Sequence, residues 1–92
     1  MIETTLVNEI SAALANYRQA ILRAHEAQEI EDYSTLAAIV EKILAAIEAG
    51  DSEKIKLGLL GFSRQVSDSY SAQPVEYRAL ADGLLKLRKA MI

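Results

Sequence analysis

The tetrapeptide Ala49-Gly50-Asp51-Ser52 constrains this chain more than any other stretch, because it reads as a helix stop followed at once by a helix start. Upstream of it, Leu36, Val40, Ile43 and Ile47 recur at 4-3-4 spacing, and Ile39 and Leu44 widen the stripe into a face broad enough to meet a core. Gly50 ends that helix, since glycine enters the left-handed conformation of a helix terminus without a β-carbon penalty. Asp51 or Ser52 can then accept the orphan amide hydrogens of the next helix, and Glu53 sits in its first turn, where the helix dipole favours an anion. So short a connection makes the two helices antiparallel neighbours.

The rest of the chain carries the same helical period. Thr4 or Thr5 can cap a first helix in which Val7, Ile10, Leu14, Tyr17, Ile21 and Ala24 form a seam. A row of small side chains, Ala13, Ala20 and Ala27, runs beside it and suits packing inside a bundle. The acidic cluster Glu26, Glu29, Glu31 and Asp32 opposes the dipole at a helix end and suits a helix start, which places the break near Ile30 to Tyr33 as a solvated charged turn. After Ser52, the residues Ile55, Leu59, Phe62, Val66 and Tyr70 share one face. Gly58 and Gly61 interrupt that helix at about 1 kcal/mol each relative to alanine, a cost that close contact with a neighbouring helix would explain. Gln73-Pro74 closes the pattern, and Pro74 opens a last helix with Tyr77, Leu80, Leu84, Leu87 and Met91 on one stripe. Asp82 and Lys86 are spaced for an i,i+4 ion pair, and Lys86, Arg88 and Lys89 suit the C-terminal end of the dipole. The apolar finish, Met91-Ile92, implies a covered last turn.

The expected architecture is all-α: one domain, 1–92, folded as a small antiparallel up-down four-helix bundle with helices over 4–30, 34–49, 52–70 and 74–91. A domain of 92 residues buries only about 60 to 65% of its unfolded surface. With 51% hydrophobic residues, it carries more apolar surface than a small monomer easily covers, so self-association as a homodimer or a protein partner is expected. Leu57 and Leu60 lie off the main stripe of the third helix, and with Met91 and Ile92 they form the expected partner-binding surface.

Charge and composition remove whole classes of function. The net charge is −3 with both signs interspersed, so no basic field attracts a phosphate backbone, and nucleic acid is not an expected partner. Cysteine is absent, which removes disulfides, thiolate metal sites and thiol catalysis and fits a reducing compartment. Met1 to Ala15 carries Glu3 and Glu9 and no basic leader, and no apolar run approaches the roughly 18 to 20 residues that span a bilayer. The expected location is the cytoplasm, without membrane contact.

Residues that could carry chemistry are few. His25, with Glu29 one turn on, makes at best half a metal site, because di-metal bundles need Glu-x-x-His pairs on two helices and this chain has one histidine. A solvent-facing helical histidine is the simpler reading. Histidine phosphotransfer domains place Lys and Gly soon after their histidine, whereas Glu26, Ala27, Gln28 and Glu29 follow His25. The acidic cluster lacks the alternating oxygen ligands and mid-loop glycine of a calcium hand. Gly58 and Gly61 are followed by no Lys-Ser/Thr of a phosphate loop. No metal and no cofactor is expected.

Three short resemblances remain. The Ala49-Gly50-Asp51 turn resembles those of tetratricopeptide-type hairpins, but no second copy recurs at that family's period, and its Trp and Gly-Tyr positions are absent. Gly50-Asp51-Ser52 resembles the Asp-Ser at the head of the second helix of acyl carrier proteins. That resemblance implies a phosphopantetheine arm on Ser52, although Glu53 stands where the family has leucine and a helix precedes the motif where the family has a long loop. Small helical chorismate mutases share the size and the long first helix. Such an enzyme would need a basic pocket from Arg18, Arg23, Lys42 and Arg64, which do not follow that family's arrangement. The function expected from the residues is a non-catalytic helical interaction module, such as a small chaperone, adaptor, immunity or regulatory factor; a Ser52 carrier and a small helical enzyme with a basic pocket are the alternatives.

Overall fold

A computed structural model describes residues 2–69 and 72–91. It contains four helices and, among the described residues, no strand: α1 (Thr4–Arg23), α2 (Ala27–Ala49), α3 (Ser52–Asp68) and α4 (Tyr77–Ala90). They enclose one apolar cluster, built from Ile10, Leu14 and Tyr17 of α1, Leu36, Val40 and Ile43 of α2, and Leu80, Leu84 and Leu87 of α4. From α3 only Ile55 and Phe62 are buried. No helix is long and apolar enough to cross a membrane among the described residues.

The α2–α3 turn forms as its residues dictate. Gly50 takes φ 70° and ψ 25°, the left-handed conformation, and the Asp51 amide donates back to the Ala46 carbonyl at 3.0 Å. Asp51 is the N-cap of α3: its Oδ1 accepts from the Lys54 amide at 3.1 Å, and Ser52 is the first helical residue.

The first boundary lies elsewhere than residues 30–33. α1 ends at Arg23, and Ala24 and Glu26 are extended, so the break falls at 24–26. No Gly or Pro marks it. The acidic cluster does attend a helix start, but the start is at its first member: Glu26 is the N-cap of α2 and Glu29 lies in the first turn, where carboxylates suit the dipole. His25 therefore sits exposed in the turn, not on a helical face, and Ala27 opens α2 instead of continuing the small-residue row of α1. Asp32 is not solvated. It is buried on α2, accepting from Gln28 Nε2 at 2.9 Å and Ser69 Oγ at 3.0 Å.

Other boundaries shift by a turn. Glu3, not Thr4 or Thr5, is the N-cap of α1, and its side chain forms no capping bond. α3 ends at Asp68, and Tyr70 and Ile92 lie outside the described residues. α4 starts at Tyr77 instead of Pro74, because Pro74 to Glu76 form a separate turn in which the Tyr77 amide donates to the Pro74 carbonyl at 3.0 Å. Lys86 reaches Glu9 on α1 at 2.9 Å in place of Asp82.

Two glycines set helix spacing. A β-carbon on Gly58 would collide with Ile43 Cγ1, and one on Gly83 would stand 3.0 Å from Ile10 Cγ1, so α3 lies tight on α2 and α4 tight on α1. Gly61 differs: among the described residues nothing outside its own stretch of helix lies within 4 Å of its β position, so close packing between them does not explain it. The helix pairs are unequally packed. α3 packs along α2 and touches α4 only slightly, which leaves the α3–α4 seam the least closed in the bundle.

Candidate functional site

The helix with the fewest buried residues also displays the largest apolar groups beside a groove. Leu57 is 65% exposed and Leu60 49%, and they fall on opposite flanks of α3. Leu57 opens on the α2 side, where Ile39, Ala46, Gly58 and Gly61 line a groove of about 680 Å³ with Lys42 and Lys54 in its wall. Leu60 opens on the α4 side, into a groove of about 340 Å³ that Leu59, Met91, Lys56 and Arg88 share. Met91 is half-buried against the core and lines that second groove, so Leu60 and Met91 come together while Leu57 stands apart from them. Leu22, Ile30, Val75 and Leu85 are exposed as well, yet none of them lines a groove beside α3.

The sequence pattern points to Leu57 and Leu60 but misses half of the surface around them. Ile39 reads as a core residue that widens the α2 stripe, and it is only half-buried because its edge forms a groove wall. Ala46, Ala49 and Gly61 give no apolar signal; their smallness is what makes the groove, and that emerges only when two helices lie side by side. The i,i+3,i+4,i+7 spacing of Lys54, Leu57, Gly58 and Gly61 is the one signal that could have gathered them.

Polar groups elsewhere hold the fold at the end of α3. The buried Tyr17 phenol donates to Gln73 Oε1 at 2.9 Å. Tyr33 Oη lies 2.6 Å from the Ala72 carbonyl and 3.4 Å from Glu29 Oε2; its single proton serves the shorter contact. The two rings meet edge to face at 5.8 Å. Burial raises the pKa of Tyr17, Tyr33 and Tyr77 above the ordinary phenol value, and the Glu29 carboxylate adds to the rise at Tyr33. These phenols therefore keep their protons at neutral pH, and those of Tyr17 and Tyr33 are donated in the bonds above. Glu76 is held below the ordinary carboxylate value by its hydrogen bond from Arg23 at 2.8 Å.

The basic residues of the enzyme alternative are tied to different places. Arg18 pairs with Glu41 at 2.9 Å, Arg23 pairs with Glu76, Lys42 lines the α2–α3 groove and Arg64 is exposed on α3. Ser52 is exposed at the first position of α3. Among the described residues, no three His, Asp or Glu side chains cluster to hold a metal ion. No protein-family model matches this chain, no curated protein matches it, and no solved structure matches it.

Proposed function

We propose that this chain is a non-catalytic protein-interaction module that offers the outward face of α3 to a partner protein or to a second copy of itself. One observation carries the reading: the helix with the fewest buried residues presents Leu57 and Leu60 to solvent, each beside an apolar groove. Large exposed side chains at a concave apolar surface are what binding faces consist of, whereas isolated exposed leucines are ordinary. Small chaperones, adaptors, immunity proteins and regulatory factors use such faces.

A photo-crosslinking residue placed at position 57 or 60, in the chain's native cell, tests this reading against the same residue at Thr35, an exposed position on α2. Crosslinked product from 57 and 60, and none from 35, is expected. Product from position 35 alone, or from no position, overturns the reading.

A second reading rests on the exposed Ser52 hydroxyl at the head of α3, where a phosphopantetheine arm could be attached. Intact mass after co-expression with a phosphopantetheinyl transferase separates it from the first, since only a carrier gains the arm.

A further inference from the structure

The α2–α3 groove has a charge pattern unlike that of the chain as a whole. The chain is acidic, with 13 carboxylates against 10 basic residues, yet the groove lining holds Lys42 and Lys54 and no carboxylate. Glu41 and Glu48, the carboxylates nearest to Lys42 along α2, line a different groove with Val7 and Ser11, on the side of α2 that faces α1. Glu41 is engaged there by Arg18. Lys42 forms no ion pair among the described residues, and Lys54 stands 4.0 Å from Asp51, at the far limit of such a contact.

The floor of the groove is shaped for a helix. Ala46, Ala49, Gly58 and Gly61 keep it low, so another backbone can approach within the roughly 8 to 10 Å at which helices pack. Gly61 is the telling position. It lies inside a helix, where glycine is unfavourable, and among the described residues no atom outside its own stretch of helix lies within 4 Å of the place that a β-carbon would take. The space is open to a partner.

From these observations we infer that the α2–α3 groove docks a helix of another protein whose apolar stripe is edged by carboxylates. The inference rests on the interaction-module reading and names the partner's chemistry. An apolar stripe fills the groove against Ile39 and Leu57, and the carboxylates meet Lys42 and Lys54 at its rim. A second copy of the chain fits less well. Two-fold pairing of this face on itself brings two copies each of Lys42 and Lys54 into one interface with no carboxylate from the groove lining to offset them, and like charges repel.

The test is a titration of the isotope-labelled full chain with three capped helical peptides of about 18 residues, long enough to form helix in water. One has a leucine stripe edged by glutamate, the second the same stripe edged by lysine, and the third glutamate edges with the leucines replaced by alanine. The first peptide is expected to shift amide signals centred on Ala46, Leu57, Gly58 and Gly61, and to bind at least about tenfold more tightly than the other two. Exchanging both groove lysines, in Lys42→Glu/Lys54→Glu, is expected to reverse the preference between glutamate and lysine edges. Gly61→Leu fills the open position and is expected to abolish the shifts; Leu57→Asp, on an exposed side chain, repeats that test without crowding the floor. Equal affinity for both charge signs, shifts confined to the Leu60–Met91 groove, or a dimer in light scattering whose dilution shifts the amide signals of the α2–α3 groove would each overturn the inference. If residues 57 and 60 capture a partner while the glutamate-edged peptide leaves the groove signals unmoved, the inference fails and the broader reading survives.

Discussion

Gly58 lies so close to Ile43 that a β-carbon built on it would collide with the isoleucine γ1 carbon. Gly61, three residues on along the same helix, faces open space. Alanine at the two positions should therefore act in opposite directions. Gly58→Ala forces the buried Ile43 to shift, and its crowding, typically 1 to 3 kcal/mol, outweighs the gain in helix propensity; a net loss of about 1 kcal/mol is expected. Gly61→Ala meets nothing and should gain about 0.5 to 1 kcal/mol. Urea unfolding of the two variants decides it, and the same sign for both would show that α2 and α3 are not packed as described.

This pair marks where the sequence stops being informative. Both glycines look alike as breaks in an apolar helix, and nothing local distinguishes the one that packs from the one that does not. The α2–α3 turn was legible because Gly50 and Asp51 act on their own backbone, through the left-handed conformation and the cap. The break at 24–26 was not. It has no Gly or Pro, and the Tyr17–Gln73 and Arg23–Glu76 contacts near it join residues far apart in the chain. The exposed leucines of α3 follow from helical spacing alone, whereas the small-residue floor beside Leu57 belongs to two helices at once.

Asp32 joins α2 to the end of α3. Its oxygens accept from Gln28 and Ser69, and the residue is buried, so removing the carboxylate breaks both of these bonds and the tie they make between α2 and the end of α3. Asp32→Ala should cost about 1.5 to 3 kcal/mol, the range for hydrogen bonds to a charged group. Proteolytic cleavage between α3 and α4 should quicken with it. Thermal unfolding and limited digestion measure both effects, and Asp32→Asn, which keeps an acceptor, should lose less.

Stability should fall at alkaline pH. The folded pKa of Tyr17, Tyr33 and Tyr77 is raised, so their contribution is fully present below the unfolded phenol value of about 10 and is lost as pH rises from there towards the folded values. Tyr17→Phe removes one of these groups together with its bond to Gln73. It should lower the melting temperature at neutral pH and shrink the further fall above about pH 10. Melting curves across that range test the sign: a wild-type chain that gains stability there contradicts the buried placement of the phenols.

The helix proposed to offer the docking face should also be the first to open. α3 buries only Ile55 and Phe62, touches α4 slightly, and meets it at the parallel stack of Phe62 on Tyr77, whose ring centres are 6.1 Å apart. Local opening is easiest where few buried side chains must be exposed, so amide exchange should be fastest in α3 among the four helices and slowest near Leu36, Val40 and Ile43 of α2. Phe62→Ala removes the main anchor and should cost about 3 to 5 kcal/mol if α3 unfolds only with the rest of the chain. If α3 opens independently, the same variant should speed exchange in α3 while leaving α1 and α4 protected. Exchange read residue by residue separates these outcomes. Uniform protection across the four helices would mean that α3 is held as firmly as the rest, and would weaken the proposal that its face takes a partner.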